Sequence, residues 1–286
     1  MIVVTGATGR TGASAALELA ARKIPVRALV RNAEKAAKLQ AAGVQLALGD
    51  VDDPQALAAA MQGASRVLVC LPNGEPQLRR EKAIADAAVA AGAKHIVKIS
   101  SVEAHAHMKN PVHQTHWQSE EHIRSKGVAW TMVRPTFYMQ NFLGSGATIK
   151  SESKFYFPFG DKGMAALIDS RDAGWFAGHV LATDGHANQS YDITSRDKMS
   201  FHQVAEVFSR VLGRTISYVP QDPVAYKAFL GKFVTSQWHL DAVCNIFAEI
   251  ANGYSVPVTD TFKQVSGREP LSLEGFIREF LPVFRS

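Results

Sequence analysis

Short apolar runs alternate with Ala-rich segments of helical period over the first 135 residues. The apolar runs have the length of buried strands, and the segments between them repeat apolar residues every three to four positions. This alternation predicts parallel strands joined by crossover helices. We predict strands at 2–4, 26–30, 44–48, 66–71, 95–100 and 129–134. We predict helices near 11–22, 33–42, 54–61, 75–91 and 115–126.

The regular alternation ends near residue 135. The stretch "SKFYFPFGDKG" is rich in aromatic and turn residues, and "SFHQVAEVFSRVLGR" predicts an amphipathic helix with Ser200 as its N-cap. Six strands in this order favour an α/β fold with a Rossmann-type doubly wound parallel sheet, whose ligands bind beyond the carboxyl ends of the strands. We expect a Rossmann domain over residues 1–135. A smaller mixed α/β C-terminal region over residues 136–286 is expected to interleave with the sheet.

The glycine-rich segment "VTGATGRTG" follows the first predicted strand and opens the first helix. Glycines here permit a tight turn and a close approach of the backbone to a pyrophosphate, whose charge is met by free N–H groups and the helix dipole. The alternative is a glycine turn that only permits close packing. We predict an NAD(P)-binding loop at this segment. Its residues are Gly6, Thr8, Gly9, Arg10, Thr11 and Gly12.

The second predicted strand ends in "ALVRN", so Arg31 stands where an NAD-dependent protein presents Asp or Glu to the ribose hydroxyls. A carboxylate would repel a 2'-phosphate, whereas a guanidinium binds it through two parallel hydrogen bonds. We therefore predict NADPH as the cofactor in preference to NADH, with Arg10 and Lys35 as further contacts. The alternative for Arg31 is an exposed charge at a strand end.

Other candidate residues follow the carboxyl ends of the third, fourth and fifth predicted strands. Because parallel strands end at the same edge of a sheet, we expect these residues to face the same cofactor. Asp50 and Val51 are placed to contact the adenine, and Leu71, Pro72 and Ser100 to line the ribose and nicotinamide end. Capping of the strand end is the alternative role for Ser100.

Several motifs occur together in a fixed order. They are "VTGATGRTG", "LVRN", "GDVDD", "SEEHIRSKGVAWTMVRPTFYMQNF", "IDSRDAG", "SYDIT" and "FHQVAEVFSRVLGRTISYVP". As a set they resemble the NmrA-like atypical short-chain dehydrogenases/reductases, and within them the group of NAD(P)H quinone oxidoreductases, triphenylmethane reductases and azoreductases. The resemblance runs from residue 1 to about residue 220 and more loosely to the end. It implies a Rossmann domain, NADPH binding and a C-terminal substrate-binding region. The family also includes redox-sensing regulators, so a non-catalytic NADP(H) sensor that controls a partner protein is the alternative function.

The tyrosine and lysine of typical short-chain reductases are absent. Their Tyr-x-x-x-Lys pair opens the helix that leads into the sixth strand, and the two positions fall here on Val112 and His116. Hydride delivery to a quinone or a cationic dye gives a weakly basic product, so orientation and exclusion of water matter more than a strong acid. We predict an NADPH-dependent oxidoreductase that transfers hydride to a quinone-like, azo or other aromatic acceptor.

His116 is the candidate catalytic residue. An imidazole with a pKa near about 6.5 donates a proton or orients an acceptor oxygen near neutral pH. His113 lies three positions earlier, on the same face if the helix already includes it, and is a candidate substrate contact. The alternative for both is a histidine at the helix start that only bonds a neighbouring backbone group or contacts the cofactor ribose.

The segment "PTFYMQNF" follows the sixth strand and is expected to emerge beside the nicotinamide. Aromatic walls with few polar atoms favour a flat, largely uncharged acceptor. The alternative is that most of these rings form core at a domain interface. The candidate substrate contacts are Trp117, Phe137, Tyr138 and Asn141, with Phe142, Phe155, Tyr156, Phe157 and Phe159 as further lining.

Composition narrows the expected partners. The net charge of +5 is spread along the 286 residues, which argues against direct binding of nucleic acid. Two cysteines, Cys70 and Cys244, make no disulfide framework and suit a reducing compartment. No signal segment or long apolar run is apparent, so we expect a cytoplasmic protein without membrane contact. No acidic or cysteine partner stands at a ligand spacing from the histidines, so no metal is expected; a homodimer is a possible assembly.

Overall fold

The computed structural model describes residues 1–285, which divide into two compact units. The first unit contains Met1–Pro135 and Ser170–Asp192. The second contains Thr136–Asp169 and the chain from Ile193 onwards. Each unit is described below by itself.

Strands and helices alternate in the first unit up to residue 135. They are β1 (Ile2–Val4), α1 (Arg10–Ala21), β2 (Val26–Val30), a short 3-10 helix (Glu34–Ala36), α2 (Ala37–Ala41), β3 (Gln45–Leu48), α3 (Pro54–Met61), β4 (Arg66–Val69), α4 (Gln77–Ala90), β5 (His95–Ile99), α5 (Pro111–Arg124) and β6 (Ala129–Pro135). Every predicted strand and helix of this segment is present, and the bounds of β1, β2 and α3 coincide with the predicted ones.

The second unit begins with β7 (Phe137–Tyr138), a 3-10 helix (Met139–Ser145), α6 (Gly146–Glu152), β8 (Lys154–Phe157) and β9 (Met164–Ile168). The chain then returns to the first unit through α7 (Ser170–Ala182) and β10 (Gln189–Ile193). It ends in the second unit with β11 (Lys198–Ser200), α8 (Phe201–Leu212), β12 (Ser217–Pro220), α9 (Pro223–Leu230), α10 (Gln237–Ala251), α11 (Thr261–Ser266), α12 (Leu273–Glu279) and α13 (Leu281–Phe284).

The central sheet has seven strands in the order β10-β6-β5-β4-β1-β2-β3. The six strands from β1 to β6 pair in parallel, and the chain reverses its direction of travel across the sheet between β1 and β4. This is the topological switch point, where open α/β sheets bind ligands beyond the strand ends. The predicted fold class, a Rossmann-type doubly wound sheet, is confirmed, and β10 adds a seventh strand to the six predicted.

The segment from Ser170 to Asp192 belongs to the first unit. The sequence analysis expects the chain after residue 135 to interleave with the sheet without naming this segment, and here α7 lies against α1. A side chain at Gly174 would place its Cβ 2.0 Å from the carbonyl oxygen of Thr11, and one at Gly178 would lie 3.0 Å from that of Ala15. The two glycines therefore let α7 approach α1 closely, a tertiary contact that the local pattern does not reveal.

The core of the second unit is built largely from phenylalanine rings. Phe142, Phe155, Phe159, Phe201 and Phe208 are all fully buried. Ser200 caps α8 as predicted: its side chain accepts a hydrogen bond from the backbone N–H of Gln203, whose side chain in turn accepts one from the N–H of Ser200. This reciprocal capping fixes the start of an amphipathic helix whose apolar face joins the aromatic core.

Candidate active site

The glycine turn after β1 is determined by close backbone contacts. Gly6 has φ +64, and a Cβ there would lie 1.9 Å from the carbonyl oxygen of Cys70. A Cβ at Gly12 would lie 2.4 Å from the carbonyl oxygen of Gly6. No side chain fits at either position without moving the backbone. Gly9 faces solvent, and a Cβ there would lie 3.3 Å from the carbonyl oxygen of Gly6. Close packing inside the protein therefore explains a glycine at this position less well than at Gly6 and Gly12.

The amino end of α1 has the features of an anion site. Gly9 is its N-cap and supplies no side-chain hydrogen bond to the first turn of this 12-residue helix. Unsatisfied N–H groups and the positive end of the helix dipole therefore lie at the end of β1, next to the switch point. Thr8 and Arg10 are exposed and Thr11 is half-buried on the same turn. This cradle fits the pyrophosphate of a dinucleotide.

Arg31 lies immediately after β2, with its side chain 79% exposed. Its Nη1 is 3.8 Å from Oδ2 of Asp50, a weak contact that leaves the guanidinium available to another anion. Lys35 is exposed nearby in sequence, where its backbone N–H bonds the Asn32 side chain. The binding of a 2'-phosphate by Arg31 stays a prediction.

The loop that carries Asp50 and Val51 is held by neighbouring charges. The Asp50 carboxylate accepts a hydrogen bond from the N–H of Asp52, and Val51 is half-buried. Asp52 is bonded by Arg80 and Arg79, which hold the pKa of its carboxyl at about 2. Asp52 is therefore ionised at neutral pH, and the loop beside Arg31 is fixed in its conformation.

The residues after β4 and β5 differ in their environment. Leu71 is half-buried and Pro72 is exposed. Ser100 is buried, and its hydroxyl donates to Oε1 of Glu120 at 2.6 Å. That carboxylate also accepts hydrogen bonds from Arg134 at 2.8 and 2.6 Å. The Ser100 proton is thus already engaged with Glu120 inside the protein.

Helix α5 begins earlier than predicted and carries both candidate histidines. It starts at Pro111, not at residue 115, because the Asn110 side chain accepts a hydrogen bond from the N–H of Val112 and caps it. Val112 and His116 therefore lie within the helix, at the positions compared with the tyrosine and lysine of other reductases. His113 and His116 are both buried on one helix face.

A buried polar chain connects His116 to the sheet. Nζ of Lys98, on β5, lies 2.6 Å from Oε2 of Glu81 on α4 and 3.2 Å from Nδ1 of His116. Nε2 of His116 is 3.1 Å from Oδ1 of Asn73. The side chains of Lys98 and Glu81 are both fully buried. We call Asn73, Glu81, Lys98 and His116 the Lys98 cluster.

Burial and the neighbouring charge of Lys98 lower the pKa of His116 well below its ordinary value, and His113 acts in the same direction. Burial lowers the pKa of His113 to about 4. Both imidazoles are therefore neutral at neutral pH. At neutral pH the ring of His116 therefore carries one N–H proton, and His116 does not act as an imidazolium acid.

The sequence-based reasoning missed Lys98, Glu81 and Asn73. One signal was available: Lys98 interrupts the apolar run "HIVKIS", and a lysine in a fully buried strand requires a charged partner. The sequence does not reveal which carboxylate meets it, because Glu81 lies 17 positions away on another element.

The predicted aromatic substrate contacts belong mainly to the core of the second unit. The ring of Phe137 lies 5.9 Å from that of Phe159 and 6.1 Å from that of Phe201. Tyr138 is half-buried and Asn141 is exposed. Four of the five further rings follow the core alternative, since Phe142, Phe155, Phe157 and Phe159 are all buried in the same cluster, whereas Tyr156 is half-buried. Trp117, in the first unit, is half-buried with the Arg124 guanidinium 5.7 Å from its ring centre.

Residues 1–285 contain neither a candidate metal cluster nor a candidate membrane-spanning helix. No group of three or more His, Cys, Asp or Glu side chains in this range is arranged to hold a metal ion. Within the same range, no helix combines the length and the hydropathy needed to span a bilayer.

The fold and the glycine turn define a dinucleotide-binding α/β protein of the Rossmann type. The sequence model of the NmrA-like family matches residues 1–276, and the chain belongs to this family.

The chain is 34% identical over 286 residues to the NAD(P)H azoreductase of Xenophilus azovorans, with 99% of each chain covered. It is 28% identical to quinone oxidoreductase 2 of Escherichia coli K12, over 76% of this chain and 77% of that one. The solved structure of Citrobacter sp. triphenylmethane reductase complexed with NADP(H) matches with a TM-score of 0.86 at 25% identity, over 98% of this chain and 99% of that one. The family predicted from the motifs is confirmed.

Proposed function

We propose that this protein transfers hydride from NADPH to a quinone-like, azo or other flat aromatic acceptor, without a tyrosine-lysine pair. The enzyme class is that of the NAD(P)H-dependent oxidoreductases. The observation that carries the proposal is the cradle at the amino end of α1, which opens at the switch point of the sheet and is built by Gly6 and Gly12.

NADPH is the cofactor, and it supplies the hydride when bound. The N–H groups at the start of α1 would hold its pyrophosphate, and Gly9 leaves space for a close approach. Arg31 would bind the 2'-phosphate at the end of β2. This strand is followed by Arg31 and not by an Asp or Glu that would repel the phosphate.

The missing tyrosine favours an acceptor that needs little acid catalysis. Residues 1–135 contain no tyrosine, and Val112 occupies the position of the typical one. Tyr191 belongs to the first unit, but its hydroxyl is engaged with Nδ1 of His186 at 2.9 Å. The carbonyl of His186 in turn accepts a hydrogen bond from the Thr131 hydroxyl near the start of β6. The activities for which the azoreductase and quinone oxidoreductase relatives are named fit an aromatic acceptor of this kind.

Steady-state assays test this function directly. Purified protein is mixed with NADPH or NADH and with a panel of quinones, azo dyes and triphenylmethane dyes, and oxidation of the nucleotide is followed by its absorbance. We expect turnover with at least one acceptor and a higher kcat/KM with NADPH than with NADH. Tight NADPH binding with no turnover across the panel would refute the proposal and favour a nucleotide sensor. A kcat/KM that is fivefold higher with NADH than with NADPH, a free-energy difference on the order of 1 kcal/mol, would refute the role of Arg31 in binding the 2'-phosphate.

A further inference from the structure

We propose that Asn73 donates a hydrogen bond to a carbonyl oxygen of the bound reactants, and that His116 is a positioning residue that holds the Asn73 amide in the required orientation. This inference rests on the proposed function, since the oxygen belongs either to the nicotinamide carboxamide or to the acceptor. In both cases the chemistry is a neutral amide N–H that binds a carbonyl oxygen.

The proton positions follow from Lys98. An ammonium group has three donors and no acceptor. Three acceptors surround Nζ of Lys98: Oε2 of Glu81 at 2.6 Å, the carbonyl oxygen of Ile99 at 3.2 Å and Nδ1 of His116 at 3.2 Å. Nδ1 of His116 must therefore accept, and the single proton of the neutral imidazole lies on Nε2.

This tautomer determines which way the Asn73 amide faces. The Nε2–H of His116 donates to Oδ1 of Asn73 at 3.1 Å, so the amide oxygen is directed towards the imidazole. The amide Nδ2 then carries two hydrogens on the other side of the group. Within residues 1–285 no protein group accepts a hydrogen bond from it, and Asn73 is exposed. An oriented donor is thus available to a ligand.

The other end of the cluster is also fixed. Oε1 of Glu81 accepts a hydrogen bond from Nε2 of Gln77 at 3.1 Å, so both carboxylate oxygens are engaged. Gln77, Glu81, Lys98 and His116 are all buried. Glu81, Lys98 and His116 each have hydrogen-bond partners on both sides within this buried chain. These contacts restrict the imidazole, and through it the Asn73 amide, more than the exposed Asn73 side chain would be restricted alone.

The position of Asn73 in the fold indicates what it binds. It follows β4 by four residues, and Cys70, three residues before it, contacts the glycine turn at Gly6 through its carbonyl. Asn73 therefore lies on the ligand edge of the sheet at the switch point. A neutral amide does not compensate a phosphate, which the cradle of α1 serves, but it matches a carbonyl oxygen.

Three proteins test the donor role: wild type, Asn73→Ala and the control Glu75→Ala. Glu75 is exposed on the same loop and has no hydrogen bond among the described residues. NADPH binding is titrated by fluorescence, and turnover is measured with a naphthoquinone. If the oxygen is that of the carboxamide, Asn73→Ala raises the Kd of NADPH about tenfold; if it is that of the acceptor, the Kd is unchanged and kcat/KM for the quinone falls about tenfold. Changes below twofold in both quantities, as expected for Glu75→Ala, would overturn the proposal.

Nitrogen NMR of the imidazole rings and a pH profile test the positioning role. We expect His116 to carry its proton on Nε2, and Asn73→Asp to raise the pKa of His116 while losing activity as Asn73→Ala does. His116→Ala should change the same quantity as Asn73→Ala, either the Kd of NADPH or kcat/KM for the quinone, in the same direction and by a smaller factor. A proton on Nδ1, or a limb of the kcat/KM profile near pH 6.5 that His116→Ala abolishes, would overturn the role.

Failure of the proposed function is distinguishable from failure of this inference. If the wild type oxidises no NADPH with any acceptor, the proposed function fails, while the titration and the NMR measurement still report on Asn73 and His116. In that case an unchanged Kd for Asn73→Ala overturns the inference as well, and a tenfold rise supports it.

Discussion

The first unit buries a chain of polar side chains, whereas the second unit buries a cluster of phenylalanine rings. In the Lys98 cluster the buried side chains of Glu81, Lys98 and His116 have specific hydrogen-bond partners, and the directions of these bonds orient one exposed amide. In the aromatic cluster, rings such as Phe142 and Phe157 meet at 5.7 Å in contacts that have no donor and no acceptor. Polar burial specifies the position of single atoms, while apolar burial specifies mainly volume and shape. A site for hydride transfer needs the former, because orientation of the reacting groups limits the rate.

The largest expected effect comes from breaking the polar cluster at Lys98. Lys98→Met leaves the Glu81 carboxylate buried without its counter-charge, which should lower the free energy of unfolding by about 3–5 kcal/mol. Chemical denaturation measures the change, with the exposed Lys94→Met as the matched control. The double variant Lys98→Met with Glu81→Met should recover most of the loss. Equal stability of Lys98→Met and Lys94→Met would contradict the buried ion pair.

A smaller effect is expected at Arg31, the exposed charge that we propose binds the cofactor. Arg31→Asp removes a guanidinium and adds a carboxylate, so the affinity for NADPH should fall by about ten- to a hundredfold. The affinity for NADH should change far less, because NADH has no 2'-phosphate. Fluorescence titration with both nucleotides measures the ratio. An equal loss for the two nucleotides would show that Arg31 does not distinguish them.

Acid should destabilise the first unit through its buried histidines. The pKa of His113 in the folded protein is about 4 because of burial, below the value of about 6.5 expected when unfolded. The unfolded state therefore binds more protons below pH 6.5, and this contribution to stability is complete above pH 6.5 and is lost as the pH falls towards 4. The free energy of unfolding should decrease by about 2 kcal/mol between pH 6.5 and 5 from this residue.

Denaturation midpoints as a function of pH measure this slope. His113→Phe should flatten it, while His107→Gln, at an exposed position, should not. An unchanged slope in His113→Phe would mean that other groups determine the acid response. His95, whose pKa is also lowered to about 4 by burial, accounts for part of the remaining slope.

The smallest effect is expected in the aromatic core. Phe142→Leu keeps an apolar side chain of similar size, so it should lower the free energy of unfolding by only about 1 kcal/mol. The Kd of NADPH should not change, because the predicted cofactor contacts do not include this ring. Denaturation and fluorescence titration measure the two quantities. A loss comparable to that of Lys98→Met would show that the rings specify geometry as strictly as the polar cluster does.

Local periodicity was sufficient to predict six of the seven strands of the central sheet, all except β10. Continuous apolar runs such as "RVLVCL" have the length of buried strands, and β1, β2 and α3 have the predicted bounds. The start of α5 was wrong by four residues, because Asn110 and Pro111 act as a cap and a first-turn proline within a polar segment. The local pattern did not identify α7 as the segment that packs in the first unit, since this packing depends on the close approach of Gly174 to Thr11.

The sequence by itself determined the strands, the glycine turn and the family of this protein, because these depend on residue type and on short, regular spacing. It also supplied Arg31 and His116 as candidates. Only the tertiary structure revealed the partners of His116, since Lys98 and Asn73 lie 18 and 43 positions away and meet it through the packing of α5 on the sheet. Periodicity places a side chain on a face, but the direction of each hydrogen bond depends on distances between elements that no local pattern encodes.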